Sequence, residues 1–484
     1  MYPFKFNPII KVIGILLVIE SLFMLTCIPF SIYYGGADLV PILISAGITL
    51  LAGMVLRAAG NKYDPQDIGR REGFLVVSLT WIVISFFGAL PFYISGAIPS
   101  FTDAYFETMS GFSTTGASIL RDIEIVPKGL LFWRSMTHWI GGMGIIVLSI
   151  AILPFLGFGG MSLFFAEVPG PEKEKLHPRI AATARSLWGI YALFTAIMII
   201  LLLLGGMNLF EAMCHAFGAL SSGGFSPKNT SLANYSPYVQ YVAIIFMFLA
   251  GTNFALHYLM LKGRIRKALS GMEFRAYLLI ILIPALVITI SLFFERGYRL
   301  EHAFRGALFS VVSIVTCTGF ANEDYMLWPR YAWFLIFLLM FAGGMAGSTS
   351  GGIKTVRHVL LFKNVSIALK RLRHKSAVIP VRLDNKPVSA EIIHNVLAIF
   401  FLYIFTFGIG SLILTATGLD TISSVGAVAS CLGGIGPGLE TTGPVANYAH
   451  LHFIAKWTLS FVMLLGRLEL FTLFIIFHPA FWKR

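Results

Sequence analysis

Charge is scarce in this chain. Only 12% of its 484 residues are Asp, Glu, Lys or Arg, and 57% are hydrophobic, whereas a soluble domain carries roughly 25% charged residues. That shortage excludes an ordinary soluble globular fold. Cysteine is sparse too: Cys27, Cys214, Cys317 and Cys431 stand singly in apolar or glycine-rich stretches, with no CxxC pair. A disulfide framework and a cysteine-based zinc site are therefore unsupported. No serine sits in a GxSxG elbow and no acid–base pair clusters with a histidine, so a membrane-embedded enzyme built on Ser221 and Ser222 lacks an activated nucleophile. His138, His215, His257 and His302 show no HxxxH pairing on one face. Acidic residues number 23 against 36 Lys and Arg, for a net charge of +13. In a soluble protein this surplus would suggest nucleic acid; here it is a matter of membrane topology, and no nucleic-acid partner is expected.

What the chain does have is long apolar runs. They fall at 12–33, 39–56, 73–95, 135–156, 187–206, 237–261, 276–294, 332–353, 391–416 and 453–478, most of them long enough to cross a bilayer core of about 30 Å. Ten spans put both termini on one side. The run after Lys5 and Lys11 is about 20 residues long and has no small-x-small cleavage site, so it reads as a retained span rather than a signal peptide. With the N-terminus inside, the inner segments 1–11, 57–72, 157–186, 262–275, 354–390 and 479–484 hold 26 of the 36 positive residues. The outer loops hold eight: Arg121, Lys128, Arg134, Lys228, Arg296, Arg299, Arg305 and Arg330. The positive-inside rule then places both termini in the cytoplasm.

The outer segments after spans three, five, seven and nine each carry an apolar stretch too short to cross, followed by a glycine turn, which reads as a re-entrant helix. The turns are Phe112-Ser-Thr-Thr-Gly116-Ala-Ser118, Leu220-Ser-Ser-Gly223-Gly-Phe-Ser226, Val315-Thr-Cys-Thr-Gly319-Phe320 and Leu432-Gly-Gly-Ile-Gly436-Pro-Gly438. A second glycine follows each at near-constant distance: Gly142, Gly251, Gly344 and Gly466. The expected architecture is an all-α polytopic membrane protein, with an N-terminal two-helix hairpin (1–60) and four pseudo-repeats (73–156, 185–261, 275–370 and 391–484) of helix, re-entrant helix with loop, and helix around a central pore. Irregular backbone at membrane depth is tolerated where protein buries it or water lines it, so four such turns suggest a conduit. Rings of backbone carbonyls can replace the hydration shell of a monovalent cation, and a helix C-terminus adds negative partial charge beside them. A conventional two-half carrier would show two repeats, not four.

With these turns the chain resembles the Trk/Ktr/HKT superfamily of potassium transport proteins, and its extra N-terminal hairpin resembles the TrkH-type bacterial branch. The resemblance covers essentially the whole chain. It implies a potassium uptake subunit of the bacterial inner membrane, with K+ held by the backbone of Thr114, Thr115, Gly116, Ser221, Ser222, Gly223, Cys317, Thr318, Gly319, Gly434, Ile435 and Gly436. Ser222 stands where threonine is common in that family. No covalently bound cofactor is implied. An ion-coupled (H+ or Na+) symporter is the alternative.

Gly343, Gly344, Gly347, Ser348, Thr349, Ser350, Gly351 and Gly352 interrupt the eighth run with glycines and hydroxyls, so that span should unwind. The stretch is unlike a nucleotide-binding loop, because Ile353 intrudes before Lys354. The resemblance implies a gate there, with Arg467 projecting into the pore below; Arg467 and Glu469, two residues apart, should point away from each other. Glu20, Glu107 and Glu211 read as helix-end or interfacial carboxylates. Asp122, Glu124, Glu323, Asp324 and Glu440 lie near the turns, where they can concentrate cations or stay solvated. The basic run Lys370 to Lys375 suits anionic membrane lipid. The resemblance adds a homodimer and a cytosolic RCK-type nucleotide-binding (TrkA-like) regulatory partner docked on 262–275 and 354–390.

Overall fold

The computed structural model describes residues 6–60, 70–151, 176–373 and 379–482. The end of the fourth expected span (152–156), most of the inner segment 157–186 and Lys375 lie outside the described residues. Without water to satisfy backbone groups, apolar runs close their own hydrogen bonds as helices. Six described helical stretches are long and apolar enough to cross a membrane: Phe6–Tyr33, Leu39–Ala59, Arg71–Ile94, Ala184–Leu204, Met272–Arg296 and Ala390–Ala416. Their outward faces, such as Leu282, Leu286 and Ile290, are exposed apolar surface. Among the described residues the helical plan is supplemented by a small hairpin, Arg382–Leu383 paired with Lys386–Pro387, turned at Asp384 and Asn385, both at positive φ.

The first two spans form a tight hairpin because small residues face each other: a Cβ at Gly14 would strike the Arg57 and Gly53 backbone. At its turn, Asp38 accepts a hydrogen bond from Ser31, and its other oxygen accepts from the Leu130 amide at 2.8 Å. The hairpin thereby caps the start of a helix of the first repeat, Lys128–Ala151.

Four shorter helices, Phe101–Phe112, Leu209–Leu220, Leu300–Val315 and Thr421–Gly433, each follow a long one and are too short for the roughly 20 residues a crossing needs. Side chains cap three of them: Ser100, Asn208 and Asp420 accept from the Asp103, Glu211 and Ser423 amides. Each then passes through a loop into the second long segment of its unit.

Those second segments depart from the expectation of one interrupted span. Among the described residues, only Lys128–Ala151 runs unbroken. Pro237–Ala250 and Phe254–Leu261 meet at 102°, and Phe453–Arg467 and Phe471–Phe477 at 114°. The expected interruption of the third is present: helix Arg330–Leu339 ends, and the chain resumes as Thr355–Arg373. At the first bend Asn253 caps the new helix through the Ala255 amide (2.8 Å). At the last, Glu469 and Leu470 take φ of 56° and 57°.

Candidate functional site

The four short helices end in one backbone motif. Thr114, Ser222, Cys317 and Gly434 have left-handed φ of 55°, 57°, 57° and 69°, and two residues on Gly116, Gly224, Gly319 and Gly436 have φ of 84°, 78°, 77° and 100°. The residue between donates its N–H back into the helix: Thr115 to Ser110 O, Gly223 to Gly218 O, Thr318 to Ser313 O and Ile435 to Ser430 O, at 2.8–2.9 Å. This bonding corrects the register of the second loop by one residue. Gly224, not Gly223, stands where Gly116, Gly319 and Gly436 stand, and Gly223 takes the place of Thr115. Two adjacent glycines look alike in sequence, and only the backbone bonds separate them. Ser221 is then the cap residue of its helix, one position before the loop.

The loops close on one another. A Cβ at Gly116 would run into Gly223 O, one at Gly224 into Thr318 O, one at Gly319 into Ile435 O and one at Gly436 into Thr115 O. Each glycine thus rests against the middle carbonyl of the next loop, and the fourth returns to the first. No side chain fits at these four points, and positive φ would disfavour one even if it did.

A second circle lies just beyond. The fourth residue after each leading left-handed residue offers its carbonyl oxygen to the preceding unit. Tyr448 N donates to Ser118 O (2.8 Å) and Leu232 N to Ala321 O (3.0 Å). Arg134 Nη1 donates to Ser226 O (3.0 Å) and Tyr325 Oη to Gly438 O (2.5 Å). Each unit holds the next, fourth to first included. The recurring second glycines serve close approach on the other flank: a Cβ at Gly142 would meet Ser221, one at Gly251 Thr316, and one at Gly466 the Leu432 carbonyl.

Segment 340–354 underlies this ring. Its neck is pinned by Gly343 N to Ile353 O (2.9 Å) and Thr355 N to Gly344 O (3.0 Å). Freed carbonyls of the bend at Ala250–Asn253 accept from it, with Met345 N on Gly251 O (2.9 Å) and Thr349 N on Ala250 O (3.3 Å), so two irregular segments satisfy each other. Thr349 Oγ1 also donates to Leu220 O (3.0 Å) and meets Ser222 Oγ at 2.9 Å. At the other end, a Cβ at Gly351 would strike Gly433 O, and Lys354 donates to Ser350 O. Arg467 is buried; its Nη1 donates to Thr349 O (3.0 Å) and its Nη2 to Gly141 O (2.9 Å). It therefore ties the underlying segment to the first and fourth units. Glu469 pairs instead with Arg357, at the start of the helix that follows the segment.

The remaining acids resolve differently. Glu107 is buried and accepts from Arg134 Nε (2.6 Å), Ser118 Oγ (2.9 Å) and Ile119 N (2.8 Å). Glu211 pairs with Lys228 at 3.2 Å. Asp122 accepts from Asn229 Nδ2 (2.8 Å), and that bond, with the Glu124 amide, holds its carboxyl below the usual range. Glu124 lies 3.7 Å from Lys228, Glu323 3.3 Å from His302, and Asp324 caps the Met326 amide (2.9 Å). Glu440 begins a short 3-10 turn at φ 48°. Sequence reasoning missed the second circle altogether. Arg134, Tyr325, Leu232 and Tyr448 are far in sequence from the carbonyls they bind, and Arg134 entered only as one of the outer positive charges.

The TrkH cation transport protein family matches the chain over residues 41–484. The Trk system potassium uptake protein TrkH of Halomonas elongata is 37% identical over 481 residues, 98% of this chain and 99% of that one. The protein of the same name from Escherichia coli K12 is 41% identical over 429 residues, 87% of this chain and 88% of its own. The crystal structure of the potassium transporter TrkH from Vibrio parahaemolyticus matches with a TM-score of 0.91 at 36% identity, covering 99% of this chain and 100% of that one.

Proposed function

The chain belongs to the TrkH family of cation transport proteins, and from that premise we propose that it is a potassium uptake subunit whose ions pass through the ring of four loops. It is a multi-pass membrane protein and a transporter rather than an enzyme. The observation that carries the potassium reading is the closed circle of glycine against carbonyl, Gly116 to Gly223 through Gly436 to Thr115. It brings backbone oxygens from four loops to one place, at the C-terminal ends of four short helices, where negative partial charge favours a cation. Dehydrated K+ is held by the backbone of Thr114 to Gly116, Ser222 to Gly224, Cys317 to Gly319 and Gly434 to Gly436. Segment 343–352 is the gate, shut by its bonds to the second and fourth units and by Arg467, whose positive charge opposes cation passage until the segment moves.

The subunit lies in the bacterial inner membrane with both termini cytoplasmic. It works as a homodimer and takes a cytosolic RCK-type nucleotide-binding partner on the basic segments 262–275 and 354–390, which also suit anionic lipid. Potassium flux into proteoliposomes, with and without a proton or sodium gradient, tests this. Flux down a potassium gradient alone, with selectivity lost in the Gly→Ser variants at 116, 224, 319 and 436, is the expected result. Unchanged selectivity in all four would remove the ring from the ion path, and flux that requires the second gradient would make the protein a symporter.

A further inference from the structure

The second circle of hydrogen bonds is chemically uneven. Two of its four donors are backbone amides, Tyr448 and Leu232, and one is the neutral hydroxyl of Tyr325. Only the link from the first unit to the second is made by a charge, the Arg134 guanidinium on Ser226 O. Arg134 and Glu107 are both buried, and their separation of 2.6 Å makes a charge-assisted bond.

Glu107 does more than neutralise Arg134. Its carboxylate also accepts from Ser118 Oγ and Ile119 N, so one side chain anchors the strand leaving the first loop and, through Arg134, the strand leaving the second. The guanidinium carbon lies 3.5 Å from the centroid of the Phe225 ring, and Phe225 directly follows Gly224 of the ring. His138, one turn on from Arg134, stacks on the same phenyl at 4.0 Å and takes the Gly111 carbonyl at 2.7 Å through Nδ1. In the second unit the position matching Glu107, seven residues before the left-handed residue, is His215. It repeats the contact in weaker form, Nε2 to Ser226 Oγ at 2.9 Å. The third and fourth units have Ser310 and Ala427 there, so a carboxylate stands at this position in the first unit alone.

We infer that Glu107 and Arg134 are positioning residues that set the spacing of the first and second loops and thereby the discrimination between K+ and Na+. The inference rests on the ring being the ion path. Neither side chain belongs to the four ring loops; both act through Ser118, Ile119, Phe225 and Ser226. A carbonyl ring discriminates cations by the placement of its oxygens, and a brace that loses one of its bonds lets two of the four loops drift apart.

The test uses the full-length protein in proteoliposomes, with K+ and Na+ flux measured separately. Arg134→Lys keeps the charge but cannot reach Glu107 and the Ser226 carbonyl in the same way, since it lacks the guanidinium fork. It should lower the K+/Na+ selectivity ratio roughly tenfold, a factor equivalent to about 1.4 kcal/mol, by raising Na+ flux. Glu107→Gln combined with Arg134→Met removes both charges without leaving either unpaired, a replacement that is often neutral for stability. This double variant should keep the wild-type melting temperature and still lose selectivity. Gly116→Ser serves as the reference. If Gly116→Ser loses selectivity while Arg134→Lys and the double variant keep it, the brace is purely structural and the inference fails. If Gly116→Ser itself changes nothing, the ring reading has failed instead.

Discussion

Arg467 reaches the carbonyl oxygen of Thr349 at 3.0 Å with one guanidinium nitrogen and that of Gly141 at 2.9 Å with the other. A residue near the end of the last repeat thus holds the middle of the segment beneath the ring and leans on the first repeat to do so. The positive charge and the segment are therefore coupled, because displacing the segment removes one of the two acceptors that a buried guanidinium needs.

Arg467→Ala should release Thr349 and raise basal potassium flux. Hydrogen bonds to a charged group contribute roughly 1.5–3 kcal/mol each, so an increase of about tenfold or more follows if the bond to Thr349 is lost on opening. Deleting Gly347 to Ser350 should act in the same direction and reduce dependence on a cytosolic partner. Flux in proteoliposomes at matched protein density decides this; rates at or below wild type in both variants would return the segment to the status of a packing kink.

The long apolar runs and the four glycine turns were legible because their signals are local: length, hydropathy and a residue type recurring at fixed spacing. The interrupted third repeat was legible for the same reason, since five of the ten residues from Gly343 to Gly352 are glycine. The bends at 251–253 and 468–470 were not. The last contains no proline or glycine after Gly466, and the left-handed Glu469 is accompanied by its ion pair with Arg357 from another unit. The Gly223–Gly224 register and the brace at Glu107 likewise depend on contacts that only the folded chain brings together.

The corrected register separates two adjacent glycines. Gly223→Ala places its methyl against the His138 ring at 2.6 Å, a buried ring held by the Gly111 carbonyl and by stacking on Phe225, which gives way only when that side chain is removed. Gly224→Ala forces a left-handed φ of 78° and a collision with the Thr318 carbonyl, which cannot give way. Adding His138→Ala should therefore restore K+ selectivity to Gly223→Ala and leave Gly224→Ala impaired. Equal rescue of both would return Gly223 to the position opposite Gly116.

Asn229 Oδ1 accepts the Ile123 amide at 2.7 Å, and Asn229 Nδ2 donates between the same two units, first and second, to the Asp122 carboxylate. Its folded pKa is depressed, by the Asn229 bond first and the Glu124 amide second. The link's stabilising contribution is thus present above the unfolded aspartate value of about 3.9 and is lost as pH falls through the folded value. Hydrogen exchange at Ile123, corrected for its intrinsic rate, should show protection that holds at neutral pH and falls in acid. Asp122→Asn should abolish the acid dependence, and protection that titrates in that variant would assign it to another group.

The pair Arg357–Glu469 gives the last prediction. Arg357 lies in the first turn of the helix that leaves segment 343–352, and Glu469 stands two residues after the arginine that holds the segment's middle, so the ion pair ties the exit of the segment to the chain around Arg467. Their side chains are 5% and 17% exposed, and breaking a buried pair by removing one partner costs about 3–5 kcal/mol because the other charge is stranded. Arg357→Glu should lower the melting temperature in detergent and raise basal flux together, since it sets two carboxylates against each other beneath the gate. Adding Glu469→Arg restores opposite charge with the partners exchanged. If the contact closes the gate through charge, the exchanged pair should recover both the melting temperature and the low basal flux. Recovery of stability without recovery of flux would show that Arg357 must occupy its own position, at the mouth of the segment, to keep it shut.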